Sequence, residues 1–119
     1  MATYSRVLLS GSTSGRTIPV TGTNTGTANT IHTAVAGAAS FDELYVWASN
    51  VTGTAATLTL EWGATGDPTD HMVKALSIPA NSPPIPIVTG QVLNGGLLCK
   101  AFSGTGSAIN LTGYVNRIV

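Results

Sequence analysis

A chain of 119 residues with zero net charge and only 8% charged residues has room for one domain and few ionic partners. An ordinary soluble domain is about 25% charged, so solubility here rests on Thr, Ser, Asn and Gly, and copies repel one another weakly. The basic residues Arg6, Arg16, Lys74, Lys100 and Arg117 are scattered, which argues against nucleic acid as a partner, and no stretch reaches the ~20 apolar residues of a membrane span.

Cys99 is the single cysteine, so no intrachain disulfide forms and an oxidising compartment is not needed. The start, MATYSRVLLSGS, has too short an apolar run for a secretory signal, so synthesis in a cytoplasm is expected.

Taken in order, Tyr4 to Leu9 is a strand candidate, with Val7 and Leu9 on one face. Ser10 to Gly15 is a turn. Arg16 to Val20 is a second strand that Pro19 confines to an edge or a strand end. Thr21 to Asn29, TGTNTGTAN, is polar and Gly-punctuated, and reads as a solvated loop or an extended arm. The expected organisation is one domain over 1–119, with such an arm or loop within 1–29. Thr30 to Val35 is a third strand, with Ile31 and Val35 on one side and His32, read as exposed, on the other.

Phe41 to Gly63 carries the clearest pattern. Leu44, Val46 and Ala48 alternate with Tyr45, Trp47 and Ser49; Leu58, Leu60 and Trp62 alternate with Thr57, Thr59 and Glu61. With a Thr-Gly-Thr break between them, the two halves read as one long β-hairpin. The predicted core wall is Leu44, Val46, Leu58, Leu60 and Trp62. Tyr45 and Trp47 then fall on the opposite face, where large aromatics are either covered by another layer or form a contact surface.

Ala64 to Asp70 is a Gly-Asp-Pro loop. His71 to Ile78 is a strand whose apolar face Lys74 interrupts. Pro79 to Pro86 is an extended connection that cannot pair in mid-sheet, followed by a short edge strand around Ile85, Ile87 and Val88. Asn94-Gly95 has type I′ turn wording. Leu97 to Ser103 is a strand, and Ala108 to Val119 is the last, with Ile109, Leu111 and Val115 on one face and Asn110, Thr112, Tyr114 and Asn116 on the other. The chain stops there, with no tail expected. About eight short strands at intervals of about ten residues, with no amphipathic helix, predict an all-β fold: an antiparallel β-sandwich, jelly-roll-like.

Little in this inventory carries chemistry. Glu61, Asp67, Asp70 and His71 are the densest polar group, but their spacing matches no calcium loop; the competing reading is a turn with solvated carboxylates. Cys99 reads as a small buried hydrophobe. A pairing of Cys99 with His32 or His71 has nothing to orient it. GSTSG at Gly11 to Gly15 resembles a phosphate loop only in composition. Tyr45, Trp47 and Trp62 could make a sugar-stacking platform, set against packing as the alternative. No catalytic, cofactor-binding or metal-ligating residue is assigned, and no enzyme activity or cofactor is expected.

The segments NTIHTA, DELYVWASN, LTLEWGATGDPTDHMVKALSIPANSPPIPI, LNGGLLCKAF and GYVNRI, over most of the chain, resemble small tailed-bacteriophage virion proteins, the head decoration or cement proteins made beside a major capsid protein. The resemblance implies a β-sandwich, often a homotrimer, that sits on the outer capsid surface and clamps neighbouring capsomers, with the major capsid protein as partner. It lies in length, strand pattern and turn wording and carries no residue-level binding motif. Physical arguments therefore pick the contacts: Tyr45 and Trp47 for subunit packing, and Tyr4, Arg6 and Arg16 for the capsid. Ordinary sheet packing or solvent is the competing reading for each. The alternatives are a tail, neck or fibre component and a carbohydrate-binding β-sandwich module.

Overall fold

Among the described residues, nine strands form two sheets. The computed structural model describes residues 3–119; Met1 and Ala2, at the start of the expected arm or loop, lie outside them. The strands are β1 (Tyr4–Leu8), β2 (Ile18–Val20), β3 (Asn29–Thr33), β4 (Phe41–Asn50), β5 (Ala56–Gly63), β6 (His71–Ile78), β7 (Ile85–Leu93), β8 (Leu98–Ser103) and β9 (Ile109–Ile118). One sheet has the order β1–β9–β4–β7, with β2 also against β9; the other has β3–β8–β5–β6. From β2 onward every connection except the β5–β6 hairpin crosses between the sheets. This is jelly-roll order with its first strand split in two.

The two inner faces supply the core. Leu44, Val46 and Ala48 of β4 and Leu111 and Val115 of β9 face Leu58 and Leu60 of β5 and Cys99 and Ala101 of β8, all buried. Each large aliphatic side chain so buried is worth about 1.5–3 kcal/mol. Trp62 is partly buried and packs against this core from the second sheet. The alternation predicted for β4, β5 and β9 therefore puts the expected side chains inside.

The long hairpin does not form. β4 pairs with β9 and β7, whereas β5 pairs with β8 and β6. Both strands have one apolar face, and the chain buries those faces against each other, not the strand edges. Asn50 makes the corner. Its buried side chain donates to the carbonyls of Thr54 (2.8 Å) and Ile78 (3.1 Å) and accepts from the amide (2.9 Å) and hydroxyl (2.7 Å) of Thr52. All four bonds are made within or beside the crossing, so the backbone can leave one sheet without orphaned polar groups.

Of the two readings of Thr21–Asn29, the structure has the loop. The Asn29 side-chain carbonyl accepts from the amides of Thr21 and Gly22, each at 2.9 Å, and Asn24 caps the 3-10 turn Thr25–Thr27. Two other expectations change. β7 is a nine-residue strand, tolerating Pro86 because it lies at a sheet edge. His32 is buried, not exposed, because the register shifts between Thr30 and His32 and strict alternation is lost there.

Candidate interaction surface

The outer face of the β1–β9–β4–β7 sheet is set by register, since directly paired residues in antiparallel strands share a face. Four rows cross it. Tyr4, Ile118 and Phe41 form one; Arg6, Asn116, Glu43 and Val92 the next; Leu8, Tyr114, Tyr45 and Thr89 the third; Thr112, Trp47 and Pro86 the fourth. The chain has two Trp, three Tyr and two Phe. Five of these seven, Tyr4, Phe41, Tyr45, Trp47 and Tyr114, lie in these rows.

The rings form a ladder. Tyr45 and Tyr114 stack with centroids 5.0 Å apart, Trp47 lies 6.0 Å from Tyr114, and the Arg6 guanidinium sits 4.5 Å above the Tyr114 ring. The Tyr45 hydroxyl donates to Glu43 Oε1 at 2.9 Å, and Asn116 donates to the same oxygen at 3.3 Å. The bond to Glu43, with burial second, raises the Tyr45 phenol above its usual value. Two glycines make room. The bulge residue Gly90 has φ +103 and lies under the Tyr45 hydroxyl. Gly113 lets β9 approach so closely that a Cβ there would overlap the Tyr45 carbonyl oxygen.

The ladder rings Tyr45, Trp47 and Tyr114 are half-buried, and residues around them are exposed. Tyr4 is 72% exposed, Leu8 54% and Val92 50%. The only charged side chains in the four rows are Arg6 and Glu43, one of each sign. Phe41 and Val92, with Leu93 and Asn94, also line a cleft of ≈ 180 Å³ at the end of the sandwich. Four of the five contact candidates from the sequence, Tyr4, Arg6, Tyr45 and Trp47, thus share one face. Arg16 does not; it lies in the β1–β2 connection, beside a depression lined by Thr13, Thr17 and Pro19. Tyr114, at the centre of the ladder, was missed as a contact candidate. Its alternation on the same side as Asn116 was visible; its register against Tyr45 was not.

Two buried polar groups lie elsewhere. Asp42, fully buried, accepts two bonds from Arg117 (2.8 and 2.9 Å), one from the Val35 amide (3.0 Å) and one from His32 (2.7 Å). Burial pushes its carboxyl up, but the bonds from Arg117, His32 and Val35 outweigh it and hold the group below the usual carboxylate value. The Ser10 amide donates to His32 Nδ1 at 3.0 Å, so Nε2 carries the proton given to Asp42. The Ser10 hydroxyl accepts from the Thr33 amide at 2.7 Å. Ser10, His32 and Asp42 therefore tie β3 to β4 and do not form a nucleophile–base relay, in which the hydroxyl would face a ring nitrogen.

The second group corrects the picture of solvated carboxylates. Asp67 is exposed and pairs with Lys74 at 2.6 Å, which lowers its carboxyl. Glu61, by contrast, is buried under the 3-10 turn, accepting from Thr25 at 3.0 Å. His71 lies between them, Nε2 3.8 Å from Glu61 and Nδ1 3.6 Å from Asp67. The two carboxylates face opposite ring nitrogens, and Asp70 turns away to accept from the Gly66 amide. Among the described residues no three His, Cys, Asp or Glu side chains are placed to hold one metal ion. Cys99 is buried, and burial alone pushes its thiol up to about 12. Both His32 nitrogens are already bonded, so they make no ion pair with it.

No helix is long and apolar enough to cross a membrane among the described residues. Comparison with protein-family models, characterised proteins and solved structures finds no match to this chain.

Proposed function

We propose that this is a structural assembly protein of a tailed-phage virion, one that decorates the outer capsid surface, associates with its own copies and binds the major capsid protein across capsomers. The observation that carries the reading is the open aromatic face, with five of the chain's seven aromatic residues on the outside of one sheet. Contiguous apolar surface of this kind marks interaction sites, and Tyr, Trp and Arg are the residues that anchor them. Low charge supports the same reading, because little opposes close approach of copies. A lattice presents many equivalent sites, so each contact can be weak and the assembly still firm. The jelly roll recurs in viral shells and in lectins; that is an analogy of fold and carries less weight than the face.

The test is the mass of the purified protein in solution, followed by pelleting with empty capsid shells. Self-association and co-pelleting are expected. A protein that stays a single copy and remains in the supernatant sinks the proposal, and capture by isolated tails in place of shells moves it to the tail or neck.

Sugar binding is the second reading. Its specific support is that Tyr45, Tyr114 and Trp47 lie beside the polar groups of Glu43, Asn116 and Arg6, a combination that suits stacking and hydrogen bonding to a sugar. Trp62 belongs to the other sheet and does not join that platform. Tryptophan fluorescence that is silent across a glycan panel rules this reading out.

A further inference from the structure

The row Arg6–Asn116–Glu43 places one positive and one negative charge symmetrically about β9. We infer that the outer face of the β1–β9–β4–β7 sheet receives a second copy of this chain, face to face, about a two-fold axis running along β9 between the sheets. The inference rests on reading this face as an association surface and adds the partner and the symmetry.

The geometry follows from the strand order. β1 and β4 flank β9 on its two sides. Rotation by 180° about an axis parallel to β9 lays the second copy's β1 over the first copy's β4, and its β4 over the first copy's β1. Arg6 of each copy then meets Glu43 of the other, and the Tyr114 rings meet near the axis. An isologous contact must be self-complementary in this way. The axis also keeps the strands of the two sheets nearly aligned, the commoner packing for sheets face to face.

Edge-to-edge pairing through β1 is less favourable. Two β1 strands paired antiparallel about their middle residue would set Arg6 against Arg6, and like charges directly opposite are destabilising.

Size agrees with a weak pair. Under this axis β1, β9 and β4 overlap while β7 lies outside the contact; ten-residue strands are about 34 Å long and three strands span about 14 Å, giving a face of at most roughly 500 Å². A standard stable interface takes about 800 Å² from each partner. The contact is large enough to form at high local concentration, as on a shell, and small enough to be reversible in solution.

Charge exchange tests it. By sedimentation equilibrium the wild-type chain is expected to form pairs reversibly. R6E and E43R should each weaken self-pairing by at least about tenfold, because like charges then meet across the axis. An equimolar mixture of R6E and E43R should pair again, since both cross-axis contacts are restored, and the double variant R6E/E43R should pair with itself. Arg6 and Glu43 also touch Tyr114 and Tyr45, so thermal melting must show that each variant is folded. L8E, at an exposed position in the next row, supplies a variant that leaves the ladder intact and should also abolish pairing. Failure of the mixture to pair, with both variants folded, overturns the two-fold contact, as does a wild-type trimer. Shell pelleting separates this from the proposal above: a monomer that binds shells sinks the pair and keeps the decoration reading, whereas a pair that ignores shells does the reverse.

Discussion

Asp42 is a fully buried carboxylate, and its bonds to Arg117 are charge-assisted. Four hydrogen bonds from Arg117, His32 and Val35 converge on one buried carboxylate. D42N keeps the shape but removes the charge, and leaves Arg117 without its ion pair. Breaking a buried pair costs about 3–5 kcal/mol; Arg117 is partly exposed and can turn to water, so about 2–4 kcal/mol is expected, read from urea unfolding. The pH dependence has a definite sign. The folded state holds this carboxyl below its ordinary value of 3.8, so the unfolded chain binds the proton more readily and stability rises with pH through this range. The contribution is complete above about pH 5 and is lost as pH falls through the lower folded value. D42N should show a flatter stability curve there. Cys99 gives a simpler check: with its thiol pushed up to about 12 and no solvent access, it should resist thiol reagents until the protein unfolds.

At the scale of elements, two positions decide whether the strands reach their partners. Asn50 lets β4 leave its sheet for β5. N50A removes four hydrogen bonds, among them the donor to the buried Ile78 carbonyl, and should cost about 2–3 kcal/mol in thermal or urea unfolding. Gly113 lets β9 lie against β4. G113A meets the backbone of Tyr45, which cannot swing aside as a side chain could, so its cost belongs at or above the top of the about 1–3 kcal/mol range for overpacking. The strand pattern was legible at this scale. Inward Leu44, Val46, Leu58 and Leu60 followed from period two alone. Pairing was not legible: a Thr-Gly-Thr break suits a hairpin turn and a sheet-to-sheet crossing equally. Nothing local at Asn50 announces that its side chain will bind Ile78, 28 residues away.

For the whole molecule, surface charge governs solubility and association. With five basic and five acidic residues and a pI near 6.7, association and light scattering should be greatest near that pH and fall on either side. A protein equally dispersed at pH 6.7 and pH 9 would count against a surface set up for copies to approach one another.

The division between sequence and fold follows from the range of the interactions. Composition, period-two alternation and turn chemistry depend on neighbours along the chain, and they were enough for an all-β sandwich, for the inward faces of β4, β5 and β9, and for the outward placement of Tyr45 and Trp47. The crossing of β4 to β5, the burial of His32 and Glu61, the separation of Arg16 from Tyr4 and Arg6, and the central place of Tyr114 were decided only in three dimensions. Each depends on which strand lies beside which and in what register, and a residue's own neighbours in the chain carry no record of that.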